Sequence, residues 1–157
     1  MRKVYEVSQA LEIEGDAADC YNLLCDFESY PSWFHYVKAV KILKRDELDI
    51  PLRVDFTCDI AIKGGIQKKG IKVVNEYAYD QINKKLIYKV VGGDVKQGEG
   101  YYQFRQLNSG KTLAVFYVKI DFGIIIPAKL ISFMIDTLMK GVLVMIKNGV
   151  EKKTPAS

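Results

Sequence analysis

The chain has very few of the residues that hold metals or build the common catalytic sites. It contains one histidine, His35, and three cysteines that form no C-x-x-C pair. A zinc site of the usual cysteine and histidine type is therefore not expected, and the sequence predicts no metal and no cofactor. No G-x-S-x-G motif occurs, and one histidine beside aromatic residues gives no basis for a catalytic triad. We therefore predict no catalytic residue.

The chain also lacks a strong charge bias, a signal peptide and any internal repeat. Its net charge is +4, which is too mild for a dedicated nucleic-acid-binding protein. After Met1-Arg2-Lys3 the residues alternate between apolar and polar instead of forming the apolar core of a signal peptide. The expected location is the cytoplasm, where Cys20, Cys25 and Cys58 serve as small reduced core residues.

No linker interrupts the chain before its last residues. This continuity predicts a single domain over residues 1–153 and a disordered tail over 154–157. Nothing in the sequence indicates an oligomeric state.

Lysines concentrate in two stretches of the chain. We interpret them as solvated strand edges that discourage edge-to-edge pairing. Docking on an anionic membrane surface is the alternative. The lysines are Lys63, Lys68, Lys69 and Lys72 in the first stretch, and Lys84, Lys85 and Lys89 in the second.

Alternation of apolar and polar residues predicts strands over most of the chain. Residues 3–14 alternate, and from about 36 to 126 one strand follows another with short turns between them. Gly64-Gly65 predicts one hairpin turn and Asn108–Lys111 another. Long neighbouring strands with short connections are typical of a curved antiparallel meander, in which Ala114, Phe116, Val118, Ile120 and Phe122 share one face.

Two short helices are predicted after the first strand. Asp16 is placed to cap a helix over about 17–26. Pro31 interrupts any continuation and leaves a second helical turn over 29–34.

The longest predicted helix begins near Pro127 and runs to about residue 150. Asp136 and Lys140 near its middle argue against a membrane span. At about 100° per residue its polar side chains form one narrow solvent-facing arc, interrupted only by Leu143. Opposite that arc lie Met134, Leu138, Val142 and Met145.

Bulky rings on the sheet should face this helix and leave a cavity between them. Methionines adapt to apolar ligands of variable shape, although they also fill gaps in an ordinary core. Buried tyrosines could orient a ligand carbonyl by hydrogen bonding. The predicted ligand-binding residues are Phe56, Cys58, Tyr88, Tyr102, Phe104, Phe116, Val118, Met134, Leu138, Val142 and Met145.

The run D-F-x-x-Y-P-x-W at residues 26–33, with the order of strands and helices around it, resembles the START-like (SRPBCC) superfamily. Within it the chain is most similar to the polyketide cyclase/dehydrase and coenzyme Q-binding group. The resemblance implies an α+β helix-grip fold, in which about seven antiparallel strands wrap a long C-terminal helix. It also implies that Asp26, Tyr30, Pro31 and Trp33 shape the small helices, a structural role.

Three functions remain open from the sequence. The first is binding or transport of a hydrophobic small molecule, such as a lipid, quinone, isoprenoid or polyketide-like compound. The second is a cyclase or dehydratase acting on a polyketide-like substrate, as some members of the superfamily do. The third is an interaction protein that docks on a larger assembly such as the ribosome.

Overall fold

The alternating segments bury one face each in a curved antiparallel sheet. The structure, a computed structural model, describes residues 4–62, 66–108, 110–121 and 140–153. Within these residues there are seven strands: β1 (Val4–Glu14), β2 (Val37–Arg45), β3 (Pro51–Ile62), β4 (Ile66–Asp80), β5 (Lys85–Gly93), β6 (Gln97–Asn108) and β7 (Lys111–Asp121). They pair in the order β1-β7-β6-β5-β4-β3-β2, and each neighbouring pair is antiparallel.

The inner face of the sheet carries the apolar positions that alternation predicts. On β7, Ala114, Phe116, Val118 and Ile120 are buried, while Phe122 lies outside the described residues. The β6–β7 turn contains Gly110 at φ +79°, a backbone conformation that side chains with a Cβ rarely adopt. The predicted Gly64-Gly65 turn also lies outside the described residues, although β3 and β4 pair as it requires.

The interpretation of the lysine stretches as strand edges is wrong. Lys68, Lys69 and Lys72 lie on β4, and Lys85 and Lys89 lie on β5, which are interior strands of the sheet. The edge strands are β1 and β2. The last strand, β7, pairs with β1, and β2 pairs with β3 alone among the described strands. Lys63 lies outside the described residues.

Helices cover the inner face at one end of the sheet. They are α1 (Ala17–Cys25), a 3-10 turn (Phe27–Ser29), α2 (Tyr30–Trp33) and α3 (Gly141–Lys153). Pro31 lies in the first turn of α2, where a missing N–H costs no hydrogen bond. Among the described residues, no helix has the length and apolarity that crossing a membrane requires.

The first turn of helix α1 is capped by a residue that is distant in sequence. Asp16 occupies the N-cap position, but its side chain makes no capping hydrogen bond. The backbone N–H of Ala17 instead donates to Oε1 of Gln106, at 2.9 Å. The local side-chain cap expected of Asp16 is therefore wrong, because the sheet brings Gln106 to the helix start and its amide oxygen accepts this hydrogen bond instead.

Helix α3 buries a wider face than the one predicted: Val142 is buried as expected, and so is Leu143 in the predicted solvent arc. Its most buried side chains are Leu143, Ile146 and Val150, at 1%, 0% and 4% exposure. Leu143 interrupts the predicted solvent arc, yet it is buried because α3 packs against both α1 and β1. The tight fit of Val150 against Gly15 belongs to this contact. The predicted positions Met134 and Leu138 lie outside the described residues.

Candidate functional site

A cavity of about 130 Å³ lies between the inner face of β3–β6 and the helices. Five residues predicted from the sequence line it: Phe56 and Cys58 from β3, Tyr88 from β5, Tyr102 from β6 and Val142 from α3. The alternating pattern of these strands is what directs four of the five side chains to the inner face. The sheet thus brings together residues that are far apart in sequence.

Other predicted residues are buried away from the cavity. Phe104, Phe116 and Val118 lie on the same inner face, at 2%, 0% and 1% exposure, but they do not line it. Helix α1 packs against β6 and β7, the strands that carry these three residues. Met145 is partly buried and packs against the core, also without lining the cavity.

Eight lining residues were not among the predicted ligand-binding residues. Leu24 and Tyr30 belong to the helices α1 and α2. Their place in the lining depends on how the helices fold over the sheet, which the sequence pattern does not specify. The signal that could have been used is the alternation of β4, which places Asn75 and Tyr77 on one face. The eight residues are Leu24, Tyr30, Phe34, Val37, Val73, Asn75, Tyr77 and Leu86.

Residues of the D-F-x-x-Y-P-x-W run form hydrogen bonds within the helical turns. The Tyr30 hydroxyl donates to the carbonyl of Leu24, and Nε1 of Trp33 donates to Oγ of Ser29 at 2.8 Å. The Asp26 carbonyl accepts a hydrogen bond from Oγ of the same serine at 2.6 Å. Tyr30 also has a role that its motif does not predict: its ring lines the cavity.

Aromatic rings form a continuous wall on this side of the cavity. The Phe27 ring stacks on Tyr77, with centroids 4.5 Å apart, and meets Phe56 edge-on at 6.0 Å. The Tyr30 ring stacks on Phe56 at 5.8 Å. Such pairs stabilise the fold beyond their buried area and fix the shape of the wall.

The polar groups of the cavity are neutral. Burial raises the pKa of Tyr30, Tyr77, Tyr88 and Tyr102, so all four remain protonated phenols at neutral pH. Burial also raises the pKa of the Cys58 thiol to about 11, which keeps it from acting as a thiolate nucleophile. These groups can donate and accept hydrogen bonds, but none is poised for proton transfer near neutrality.

Asn75 is the one amide among the described lining residues. Its Nδ2 donates to the hydroxyl of Tyr77 at 3.0 Å. Its Oδ1 is buried and has no hydrogen-bond partner within the described part of the protein.

The described lining has no charged side chain. His35 is exposed, its ring 4.0 Å from that of Tyr36, and it does not line the cavity. Within the described ranges, no group of three or more histidine, cysteine or acidic side chains could hold a metal ion. No Asp, Glu, Lys, Arg or His occurs among the described residues of the lining. The cavity therefore offers shape, apolar surface and neutral hydrogen bonds.

A larger groove of about 740 Å³ lies at the ends of β5, β6 and β7. Lys89, Lys96 and Lys119 line it and are exposed to solvent. An apolar molecule would remain hydrated there, so we take the smaller interior cavity as the site. The glycines Gly92 and Gly93 in this groove do not open a helix, unlike those of a phosphate-binding loop.

Known proteins share the sequence pattern and the fold of this chain. A family model described as polyketide cyclase / dehydrase and lipid transport matches residues 13–143. The comparison with curated proteins finds no match. Several solved structures match over almost the whole chain.

A START superfamily protein from Mycobacterium smegmatis is similar, with a TM-score of 0.81 and 19% identity over 95% of this chain and 99% of that chain. The Zhui aromatase/cyclase from Streptomyces sp. R1128 has a TM-score of 0.78 and 13% identity over 98% of each chain. Norcoclaurine synthase from Thalictrum flavum, solved with dopamine and hydroxybenzaldehyde, has a TM-score of 0.70 and 11% identity, covering 98% of this chain and 90% of that chain. At these identities the likeness shows the fold, and the predicted helix-grip fold is confirmed.

Proposed function

The chain belongs to the polyketide cyclase/dehydrase and lipid-transport family, and from this premise we propose that it binds a hydrophobic small molecule in the cavity between sheet and helices. The observation that carries the proposal is the lining itself. Phe56, Tyr88, Tyr102 and Val142 present apolar surface from four different elements, and no charged side chain is among the described lining residues. Apolar surface of this kind releases water when a ligand fills it.

The size of the cavity limits what it holds. Its 130 Å³ is below the roughly 300–1,000 Å³ of sites for drug-sized ligands. It is close to the ~150 Å³ of an apolar cavity that binds benzene. A single ring, or the end of a longer lipid, quinone, isoprenoid or polyketide-like molecule, matches this volume.

The cavity is partly open to solvent, so it holds water when no ligand is bound. An apolar ligand that displaces this water and binds only the folded protein stabilises the folded state by mass action. Binding should therefore be visible as stabilisation of the folded protein.

Native mass spectrometry of the purified protein tests the proposal. We expect a co-purifying apolar compound that organic extraction releases and that rebinds to the stripped protein at one equivalent. Cys58→Phe, which places a ring in the cavity, is the matched control and should not retain the compound. A wild-type protein that neither co-purifies with nor takes up any compound from a lipid and isoprenoid panel would argue against the function.

An enzymatic function is the second candidate, since the family description names cyclase and dehydrase activities. The neutral phenols of Tyr77, Tyr88 and Tyr102 could orient a polyketide carbonyl. An added polyketide-like substrate would then be converted to a cyclised or dehydrated product, which mass spectrometry detects. A ligand recovered unchanged favours binding alone.

Docking on a membrane or a larger assembly has less support. Lys85 stacks over the Tyr101 ring at 4.2 Å, and Nζ of Lys72 is 3.3 Å from Oδ2 of Asp55. These lysines therefore already have partners within the protein. The proposed binding takes place in the cytoplasm, a location that rests on the sequence alone.

A further inference from the structure

We propose that Asn75 and Tyr77 form a recognition site for a hydroxyl group, so that the bound molecule is an apolar alcohol or phenol. This inference rests on the proposed function and specifies the chemistry of its ligand. Both residues lie on β4, two positions apart, and both line the cavity. Residues at this spacing on a strand point to the same face.

The unpaired amide oxygen of Asn75 is the first observation. Nδ2 already donates to the Tyr77 hydroxyl, whereas the buried Oδ1 finds no donor among the described residues. A buried acceptor without a partner destabilises the folded state, and such groups are rare in native proteins. The lining position of Asn75 means that a molecule in the cavity can supply the missing donor.

The Tyr77 hydroxyl is the second observation. It accepts the hydrogen bond from Asn75, which leaves its own proton to be donated. Because burial raises the pKa of Tyr77, that proton stays on the phenol at neutral pH. The pair therefore presents one acceptor and one donor side by side.

A hydroxyl group matches this pair better than other functional groups. It donates its proton to Oδ1 of Asn75 and accepts the proton of Tyr77 at the same time. A ketone or an ether only accepts, and an alkyl group does neither. A hydroxyl also fits the pair if the amide is turned over, since it can accept from Nδ2 as well.

The aromatic wall positions the remainder of the ligand. The Tyr77 ring is stacked on Phe27 and its edge faces Phe56, so the polar pair is held against a rigid apolar surface. Rigid placement allows the site to reject a molecule that lacks the hydroxyl, because the buried polar groups of Asn75 and Tyr77 would then stay unpaired.

Phenol and toluene are the probes, because they differ in shape only by the exchange of hydroxyl for methyl. Both are titrated into the isotope-labelled full chain, and dissociation constants are read from amide chemical shifts. Toluene is the more hydrophobic of the two, so an apolar cavity without polar recognition favours it. In the wild type we expect phenol to bind at least as tightly as toluene.

Asn75→Leu keeps the side-chain shape and removes the amide. We expect the ratio of the toluene to the phenol dissociation constant to fall about fivefold, since the ligand hydroxyl loses the acceptor of its proton, one hydrogen bond of ordinary net strength. Tyr77→Phe is the more conservative second variant and should lower the same ratio severalfold. Val142→Ala is the control: it lines the cavity without a polar group and should weaken both ligands while leaving the ratio within twofold.

The possible outcomes separate this inference from the proposed function. A ratio that falls in both polar variants and not in Val142→Ala supports hydroxyl recognition. If both ligands bind but the ratio is unchanged in Asn75→Leu and Tyr77→Phe, hydroxyl recognition is overturned while apolar binding stands. If neither probe binds to the wild type, both the recognition site and the proposed function are overturned.

Discussion

At the scale of single residues, one glycine leaves room for a tyrosine side chain that lines the cavity. Gly100 on β6 lies beneath the Tyr88 side chain, whose hydroxyl is 3.5 Å from the carbonyl oxygen of Tyr117. A Cβ on Gly100 would be 2.0 Å from that carbonyl oxygen and 2.8 Å from the Tyr88 hydroxyl. The absence of a side chain is therefore a requirement of the site as well as of the strand.

Gly100→Ala should destabilise the protein by roughly 1–3 kcal/mol, because backbone and side chain must both shift to admit the methyl group. Urea unfolding monitored by circular dichroism measures the loss. Gly92→Ala is the matched control, since its nearest neighbour, Val74, is at an ordinary contact distance of 3.5 Å. Equal stability of the two variants would mean that β6 and β7 are not packed as described.

The buried tyrosines make the unfolding free energy depend on pH in the alkaline range. Burial raises the folded-state pKa of Tyr102, whose ordinary value is 10.0. For a raised pKa, the contribution to stability is complete below pH 10 and is lost as the pH rises above it, because only the unfolded chain then releases the proton.

We expect the unfolding free energy of the wild type to fall above pH 10. Tyr102→Phe should reduce the slope by up to about 1.4 kcal/mol per pH unit, the contribution of one ionising group. Urea unfolding at a series of alkaline pH values measures the slope. An identical slope in wild type and variant would show that the Tyr102 phenol ionises without unfolding.

At the scale of secondary-structure elements, the start of α1 depends on a residue from the sheet. Oε1 of Gln106 accepts the Ala17 N–H, and its Nε2 donates to the carbonyls of Asn108 and Lys111 at 2.6 and 3.0 Å. The side chain therefore joins the helix to the β6–β7 turn. Sequence rules direct attention to Asp16 because they consider only neighbours along the chain.

Gln106→Ala should cost about 1–2 kcal/mol of stability, the usual effect of removing a helix cap. Asp16→Ala should cost less, because the Asp16 side chain makes no capping bond; it loses its interaction with the helix dipole and a long hydrogen bond of 3.4 Å from Nε2 of Gln106. Chemical unfolding of both variants tests the order of the two losses. The opposite order would restore the local cap expected from the sequence.

The elements differ in how well the sequence predicts them. Alternation located the first strand and the run of strands from about residue 36 onward, because a half-buried strand must show its two faces in its own sequence. The burial of Leu143 and the interior position of β4 and β5 were missed, since both depend on partners that lie far away in sequence. A helix pattern reports which side is apolar and does not report what covers it.

At the scale of the whole molecule, the sequence predicted the fold better than the site. The order of strands and helices and the run at residues 26–33 were sufficient for the helix-grip fold. Of the lining, Phe56, Cys58, Tyr88 and Tyr102 on β3, β5 and β6 followed from alternation. The contribution of α1, α2 and β4 did not, because Leu24, Phe34 and Asn75 become neighbours only after the helices close over the sheet.

The interior of the sheet–helix assembly is the feature on which the proposed function depends. A molecule that fills it must stabilise the folded protein, and a side chain that fills it must abolish that effect. Val142→Phe provides such a side chain from α3, at a position that lines the cavity and is 7% exposed.

The most direct measurement is the melting temperature of wild type and Val142→Phe with a panel of small apolar ring compounds. At tenfold the dissociation constant, a ligand adds ~1.4 kcal/mol, which corresponds to a rise of roughly 3–6 °C for a chain of this size. We predict this rise for at least one compound in the wild type and none in a folded Val142→Phe. No rise with any compound, or the same rise in both proteins, would contradict an interior binding site.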